Sequence, residues 1–493
     1  MALITLTSLP TELLNAIVSH SMPESFESLA MTCRKFYNLC TSSIKRHNEL
    51  CKRFRDFTYL KYPNIGLLSV HNPPAVNLIQ EIAHNPVIAR YIGHADFTYD
   101  TWPPKARPVQ ILPDPDLGGP VVNLFAESPY LREAGLEWRE YYTLIQKDLE
   151  SPSRYSQHAA AFLLTLLPNV TSLKLPCLWQ SCERADKLTR ATVRRALYKP
   201  SPSSPLWNSH SLSQVTEFEP YSDSGPSGHG VNLADAAPFL ALPKLRLFRA
   251  RSCVAKGVSS IATALEGEKL PPGEALEAAH FVDSCLDDVA ITDFLQRTPN
   301  LEELVYLHST KGQDSQDWDI CRFVTAIKRQ AGSHLESLEI RVREFHGSFA
   351  PGKLSMRGFQ SLRKLHLPLE VAGCNLATDS SFNNGELTAQ DLGELQRLTD
   401  ILVPASVSEL SLHSAGTDRH EKALRAMFFD FAARKNDWVP ALKDIRLSPE
   451  PIEDGAYKDE CGRLKVEIEQ TGVTLHLGEA PDEEKDWFDE EII

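Results

Sequence analysis

The sequence predicts an α/β protein in which three N-terminal helices precede an irregular array of parallel strands that alternate with helices. Two observations support this fold class: apolar residues recur at helical spacing in the first 52 residues, and a leucine pattern returns many times between residues 161 and 478. The chain has 493 residues, of which 42% are hydrophobic and 24% charged. This apolar content is typical of a folded protein and excludes wholesale disorder.

The N-terminal segment, residues 1–52, is predicted to form three short helices. Thr11 can cap the first helix, Pro23 ends it, Ser25 can begin the second, and a third runs on from about Arg34. Three helices in so short a segment enclose a very small core. We therefore expect this segment to depend on a partner for part of its stability.

These helices also carry a motif in a fixed order. It consists of Leu9-Pro10-x-x-Leu13, Ile17, Phe26-x-x-Leu29 and Cys33-Arg34-x-Phe36-Tyr37. On these residues the segment resembles an F-box, although the tryptophan that many F-boxes carry near the end of the motif does not occur before Trp102. The alternative is an unrelated three-helix cap on the domain that follows.

The resemblance implies a partner. An F-box docks on the Skp-type adaptor of a cullin–RING ubiquitin ligase, so the same contact is expected here. The residues that match the adaptor-facing and core positions are Leu9, Pro10, Leu13, Leu14, Ile17, Phe26, Leu29 and Phe36.

The pattern L-x-x-L-x-L occupies most of the remaining chain. Its copies begin at Val170, Leu242, Leu301, Leu335, Leu362, Val407 and Leu442, with a weaker copy at Leu276 and a last one at Val473. Alternation at the end of each copy predicts a short half-buried strand. Helices are predicted between the strands, over 283–296, 317–329, 389–402 and 418–434.

One strand and one helix per unit is the plan of leucine-rich repeats, and the array resembles the degenerate repeats found behind many F-boxes. An ordinary α/β domain is the alternative. The predicted boundaries are 1–52 for the F-box, 53–160 for a helical and Pro-rich connection that could include divergent first repeats, and 161–478 for the array. Disordered loops are predicted near 199–230 and an acidic tail over 479–493.

Composition and spacing argue against several other classes. The net charge of −14 argues against general nucleic-acid binding. Ten scattered cysteines without a C-x-x-C pair predict neither disulfides nor structural zinc, and the absence of a secretory signal predicts a cytoplasmic or nuclear protein. The most apolar stretch, residues 159–167, is too short to span a membrane and is predicted to be a buried helix.

The residues between the repeated leucines should lie on the opposite face of the predicted sheet. That face is the predicted substrate site, and its basic residues would favour an acidic or phosphorylated segment. The candidates are Lys174, Arg246, Arg341, Lys364 and Arg446.

The leading functional hypothesis is a non-catalytic substrate receptor: the F-box docks the Skp-type adaptor, and the repeats hold a protein substrate for ubiquitination. No cofactor or metal site is predicted. Near misses such as His420-Glu421 lack the second histidine that a zinc helix requires. Two alternatives stay open, an F-box scaffold outside any ligase and a hydrolase within the α/β region.

Overall fold

A computed structural model describes residues 6–59, 74–100, 112–150, 155–198, 210–220, 230–255, 270–311, 317–350, 352–377, 398–414, 420–449 and 455–478. The chain separates into two compact units. Unit 1 comprises residues 1–221 with 242–245, and unit 2 comprises residues 222–241 with 246–493.

Unit 1 is rich in helices and contains a short parallel sheet. Its helices are α1 (Thr11–Ser21), α2 (Phe26–Thr32), α3 (Arg34–Phe54), α4 (Pro74–His84), α5 (Val87–Tyr91), α6 (Pro120–Ala126), α7 (Pro129–Glu133), α8 (Trp138–Glu150), α9 (Gln157–Leu164) and α10 (Glu183–Ala196), and a 3-10 turn at Leu6–Ser8 precedes them. Its strands are β1 (Asp56–Thr58), β2 (His94–Asp96), β3 (Ser172–Lys174) and β4 (Glu217–Glu219).

The four strands of unit 1 pair in parallel in chain order. The central residue of each strand points into the core, so Phe57, Ala95, Leu173 and Phe218 lie side by side and are all buried. Helix α9 also packs inside, which confirms the buried helix predicted from the apolar stretch. Each strand therefore contributes one apolar side chain to the core of unit 1, and the helices contribute the other buried side chains.

Unit 2 continues with more and longer strands. Its elements are β5 (Val231–Asn232), α11 (Leu233–Ala236), a 3-10 helix at Ala237–Ala241, β6 (Leu247–Arg251), β7 (Cys253–Ala255), β8 (Ala278–Leu286), α12 (Asp288–Arg297), β9 (Glu303–Ser309), α13 (Ile320–Ala331), β10 (Ser337–Glu344), β11 (Lys364–Pro368), α14 (Glu370–Ala377), α15 (Leu398–Leu402), β12 (Glu409–Ser414), α16 (His420–Met427), α17 (Phe431–Trp438), β13 (Asp444–Pro449), α18 (Gly455–Glu469) and β14 (Thr474–Leu477).

The strands of unit 2 pair in parallel in the order β6-β8-β9-β10-β11-β12-β13-β14, and β7 pairs with β5 and β8. We call the row of aligned core residues across this sheet the inward row. It consists of Ala279, Leu304, Leu338, Leu365, Leu410, Ile445 and Leu475. Each is at most 3% exposed. The predicted mixed α/β fold with a large parallel sheet is therefore confirmed.

One leucine copy has a different register from the one predicted. Leu242 and Leu245 are buried as expected, but Leu247 is the first residue of β6 and is only half-buried. The core positions of β6 are Phe248 and Ala250, which pair with the inward residues of β8. A shift of one residue exchanges the two faces of a strand, so the prediction that Leu247 points inward was wrong.

Two predicted helices also differ from the structure. The helix expected over 283–296 begins later, because β8 continues to Leu286 and Asp287 caps α12 by accepting from the backbone N–H of Ala290 at 2.8 Å. The helix expected over 418–434 is two helices, because Asp430 adopts a left-handed backbone with φ 54°. The array therefore has shorter and more interrupted helices than the sequence predicts.

Several predicted regions lie outside the described residues. These are the acidic tail over 479–493, loop residues 199–209 and 221–229, and residues 389–397 of a predicted helix. Between the two loop segments, residues 210–220 include β4.

Candidate functional site

The three N-terminal helices enclose a small apolar core. Residues half-buried around it include Leu9, Ile17 and Leu29. The buried members come from all three helices and from the turn between the first two, and they are Leu14, Val18, Met22, Phe26, Ala30, Phe36 and Cys40. The core is as small as the sequence predicts.

The residues predicted to contact the adaptor differ in how far they are accessible. Leu14, Phe26 and Phe36 are at most 3% exposed, so they support the helices from inside. Pro10 and Leu13 are exposed, and Leu13 keeps 52% of its surface. With the half-buried Leu9, Ile17 and Leu29, they form the accessible part of the predicted contact.

Other apolar residues on these helices are exposed that the sequence analysis did not single out as contacts. Leu6 is 50% exposed, Met31 79% and Tyr37 56%. Tyr37 also lines a groove along α3 together with Ile44 and Lys45. Exposed apolar side chains gathered on one small segment are typical of a protein-binding surface.

A group of polar contacts joins these helices to the rest of unit 1. The carboxylate of Glu24 accepts from Arg90 Nε at 3.0 Å and from the side-chain amide of Asn169 at 2.7 Å. Asn169 also donates to the backbone carbonyl of Arg90 at 2.8 Å. Burial alone would raise the pKa of Glu24, but the hydrogen bonds from Arg90 and Asn169 lower it below its usual value.

His47 on α3 makes a second contact of this kind. It follows Lys45 and Arg46, a basic run that favours a solvated helix face, yet its side chain is only 3% exposed. Its Nδ1 lies 2.8 Å from the hydroxyl of Tyr91, and its ring lies 4.6 Å from that of Phe26. Near the end of α3, Arg53 donates to both carboxylate oxygens of Glu81 at 2.8 and 3.0 Å.

Comparison with protein families is decisive for this segment. The family model for the F-box domain matches residues 6–48. The chain carries an F-box domain. The match covers α1, α2 and most of α3, the helices that bear the motif residues. No curated protein matches the chain.

Three of the basic residues predicted to bind substrate lie close to carboxylates. In unit 1, Lys174 lies 3.4 Å from Glu219. In unit 2, Arg246 just precedes β6 and lies 3.7 Å from Glu277, and Arg341 Nε lies 2.6 Å from Glu339. Three of the five predicted basic residues are thus paired with carboxylates, which reduces the positive charge they offer to a ligand.

We call the side of the unit 2 sheet opposite the inward row its outward face. Lys364 lies there, exposed, with Ser337 on one neighbouring strand and Glu409 on the other. Arg446 lies one row further along, between Ser411 and His476. Both basic residues therefore occupy the face on which they were predicted.

Histidine–carboxylate pairs recur on the outward face. His280 lies 2.7 Å from Glu303, and His366 lies 3.4 Å from Glu339. The hydrogen bond with His280 lowers the pKa of Glu303. His366 is partly covered by its neighbours, with 16% of its side chain exposed.

None of the helices among the described residues has the length and apolar character needed to cross a membrane. Within the same residues, no group of three or more His, Cys, Asp or Glu side chains is arranged to hold a metal ion.

Proposed function

We propose that the chain is the substrate-recognition subunit of a Skp–cullin–F-box ubiquitin ligase, with no catalysis of its own. The observation that carries this proposal is the F-box domain at residues 6–48, whose helices leave Leu13 and neighbouring apolar residues exposed. F-box domains generally bind the Skp-type adaptor. The ligase brings a bound substrate close to the charged ubiquitin-conjugating enzyme, so the receptor acts by raising effective concentration.

The adaptor contact is tested by replacing an exposed residue, which separates binding from folding. We expect Leu13→Asp to weaken adaptor binding at least about tenfold by calorimetry, because a carboxylate would be placed in an apolar interface. Val466→Asp is the matched control, since Val466 is 63% exposed on α18 and lies outside the F-box. Equal binding by wild type and Leu13→Asp would contradict the proposed contact.

Membership of a ligase is tested separately from adaptor binding. Purified adaptor and cullin are added to the full chain, and complexes are separated by size-exclusion chromatography. We expect the chain, adaptor and cullin to elute together. A complex of chain and adaptor that excludes the cullin would instead favour the scaffold function.

For the substrate, we propose recognition by the outward face and by a leucine-rich-repeat arrangement of the strands. The support is the series of aligned parallel strands, each with its leucines buried and its polar residues on the other side. Lys364 and Arg446 on this face, with the paired Arg341, would favour an acidic or phosphorylated segment.

A charge reversal tests this part of the proposal. Arg341, Lys364 and Arg446 are changed together to Glu, and captured proteins are compared by mass spectrometry after proteasome inhibition. We expect the substrate set of the wild type to be lost while adaptor binding is unchanged. The matched control reverses Arg329, Lys458 and Lys465, which lie on helices. Capture that survives the first triple change places recognition elsewhere in the chain.

A further inference from the structure

Three helix ends of unit 1 bring together a carboxylate, an imidazole and a thiol. Asp148 lies in the last turn of α8, His158 in the first turn of α9, and Cys182 is the N-cap of α10. Asp148 Oδ2 lies 2.7 Å from His158 Nδ1, and His158 Nε2 lies 3.8 Å from Cys182 Sγ. The imidazole therefore contacts the carboxylate with one ring nitrogen and the sulfur with the other.

Asp148 fixes the orientation of the imidazole. The same carboxylate oxygen accepts from the Ser156 hydroxyl at 2.8 Å and from the backbone N–H of His158 at 3.4 Å. Because Nδ1 is engaged by Asp148, Nε2 is the nitrogen directed to the sulfur. Burial alone would lower the pKa of His158, but the hydrogen bonds with Asp148 and Cys182 raise it to about 9.

Cys182 lies at the start of a long helix, and its side chain is accessible. It caps a 14-residue helix, so the N–H groups of the first turn and the positive end of the helix dipole lie beside it. Its side chain is partly exposed. Gln157 holds this segment to α9, because its amide oxygen accepts from the backbone N–H of Gln180 at 3.1 Å.

One neighbouring charge opposes the thiolate. The carboxylate of Asp186, on the first turn of α10, accepts from the backbone N–H of Cys182 at 3.3 Å, and Arg190 on the same helix offsets part of its charge. Tyr141 and Tyr155 also lie near the cluster, and burial raises the pKa of both well above the usual value, so they stay neutral. The imidazole is thus the cation in direct contact with the sulfur.

We propose that Asp148, His158 and Cys182 form a nucleophilic thiol site at which Cys182 is covalently modified by small soft electrophiles. In the step, the thiolate sulfur gives an electron pair to the electrophilic carbon, a carbon–sulfur bond forms, and the leaving group departs with the electrons of its own bond to carbon. With iodoacetamide the leaving group is iodide. His158 keeps its proton and balances the thiolate charge until the bond has formed.

The chain provides two other cysteines for comparison. Cys33 caps α3, and the backbone N–H of Phe36 lowers its pKa. Its alkylation rate therefore measures the effect of a helix N-terminus without a neighbouring histidine. Cys51 lies 3.5 Å from His47 Nε2, but Glu27 lies 3.4 Å from the same nitrogen. Burial and the charge of Glu27 raise the pKa of Cys51. A histidine contact alone therefore does not make a reactive thiol here.

The test measures alkylation of each cysteine in the full-length chain. Iodoacetamide is added at about pH 6.5, where an ordinary thiol is only about 1% ionised, and modified peptides are quantified by mass spectrometry over time. We expect Cys182 to react about tenfold faster than Cys33 and faster still than Cys51.

Two variants test whether His158 is responsible for fast alkylation of Cys182. His158→Gln is expected to slow alkylation of Cys182 about tenfold and to leave Cys33 and Cys51 unchanged, and Asp148→Asn to slow it by a smaller factor. The rates of Cys33 and Cys51 in the same sample report whether unit 1 is folded. A Cys182 rate no higher than that of Cys33, or a rate unaffected by both substitutions, would overturn the proposal.

Discussion

The two units of the molecule differ in the kind of contact that holds their elements together. In unit 2, Leu338, Leu365 and Leu410 lie side by side on neighbouring strands, so the same apolar contact is repeated across the sheet. In unit 1, the F-box helices meet the remaining helices through specific polar pairs, such as Glu24 with Arg90. Apolar burial has no preferred direction, whereas a hydrogen bond requires one partner in one place. Unit 2 should therefore be sensitive to a charge in its core, and unit 1 to the loss of single partners and to pH.

The largest effect is expected from a charge in the inward row. Leu365 is 0% exposed, so Leu365→Asp would bury a carboxylate without a partner and cost about 4 kcal/mol or more. We expect loss of soluble protein or a large drop in melting temperature, measured by circular dichroism. The control is Lys364→Asp on the outward face, which should melt close to the wild type. Similar melting of both variants would contradict the register of this strand.

A cavity in the F-box core should have the next largest effect, and a local one. Phe36 is 3% exposed, and Phe36→Ala is expected to cost about 3–4 kcal/mol. Hydrogen exchange should accelerate in α1 to α3 while β10 keeps its protection. Tyr37→Ala, next to it and 56% exposed, should change exchange little. Acceleration in β10 as well would show that the F-box core and the strands of unit 2 unfold together.

The stability of the polar contacts in unit 1 should depend on pH, whereas that of the apolar inward row in unit 2 should not. The pKa of His158 is raised to about 9, above the value of about 6.5 in an unfolded chain. Its interaction with Asp148 therefore stabilises the fold fully below about pH 6.5 and is lost as the pH rises through about 9. We expect the difference in melting temperature between wild type and Asp148→Asn to shrink by about 2–4 °C over this interval. A difference independent of pH would show that His158 is not charged in the folded protein.

The smallest effect is expected from the contact between the F-box and the rest of unit 1. Arg90 and Glu24 are each more than a third exposed, so Arg90→Met should cost less than about 1 kcal/mol. The expected result is a fall in melting temperature of about 1–2 °C with faster hydrogen exchange near Glu24. Arg363→Met, which removes a more exposed pair with Glu336, serves as control and should show neither change. An unchanged exchange rate near Glu24 would mean that Asn169 alone maintains the contact.

The same difference between units explains which features the sequence predicts. Within each copy of the leucine pattern the buried residues have a fixed spacing, so their burial could be predicted in most copies, including the weak copy at Leu276 but not at Leu247. Strands β1 and β2 are three residues long, which is too short for alternation to be visible. Spacing also could not separate Leu13 from Leu14, because both fit the apolar face of α1, and only the packed structure shows which one is exposed.

Polar clusters were the part that sequence reasoning could not find. Asp148, His158 and Cys182 are separated along the chain by unequal intervals, and no known motif links them. They meet because the ends of three helices converge, which depends on tertiary packing. His47 shows the same limit: neighbouring basic residues favour a solvated helix face, but Tyr91 lies against that face. In contrast, the F-box residues form a local motif, and that domain could be recognised from the sequence.

The length of α3 has a mechanical consequence. The F-box match ends at residue 48, yet the helix continues without interruption to Phe54, and β1 begins at Asp56. This helix of 21 residues is about 30 Å long. The helix is rigid and leads directly into the first strand. A flexible linker of the same number of residues would instead allow many distances between its two ends. Under the proposed function, a substrate bound to the strands of unit 1, where Lys174 lies, would be held at one fixed distance from the F-box. The acceptor lysine would then be selected by its position on the surface of the substrate.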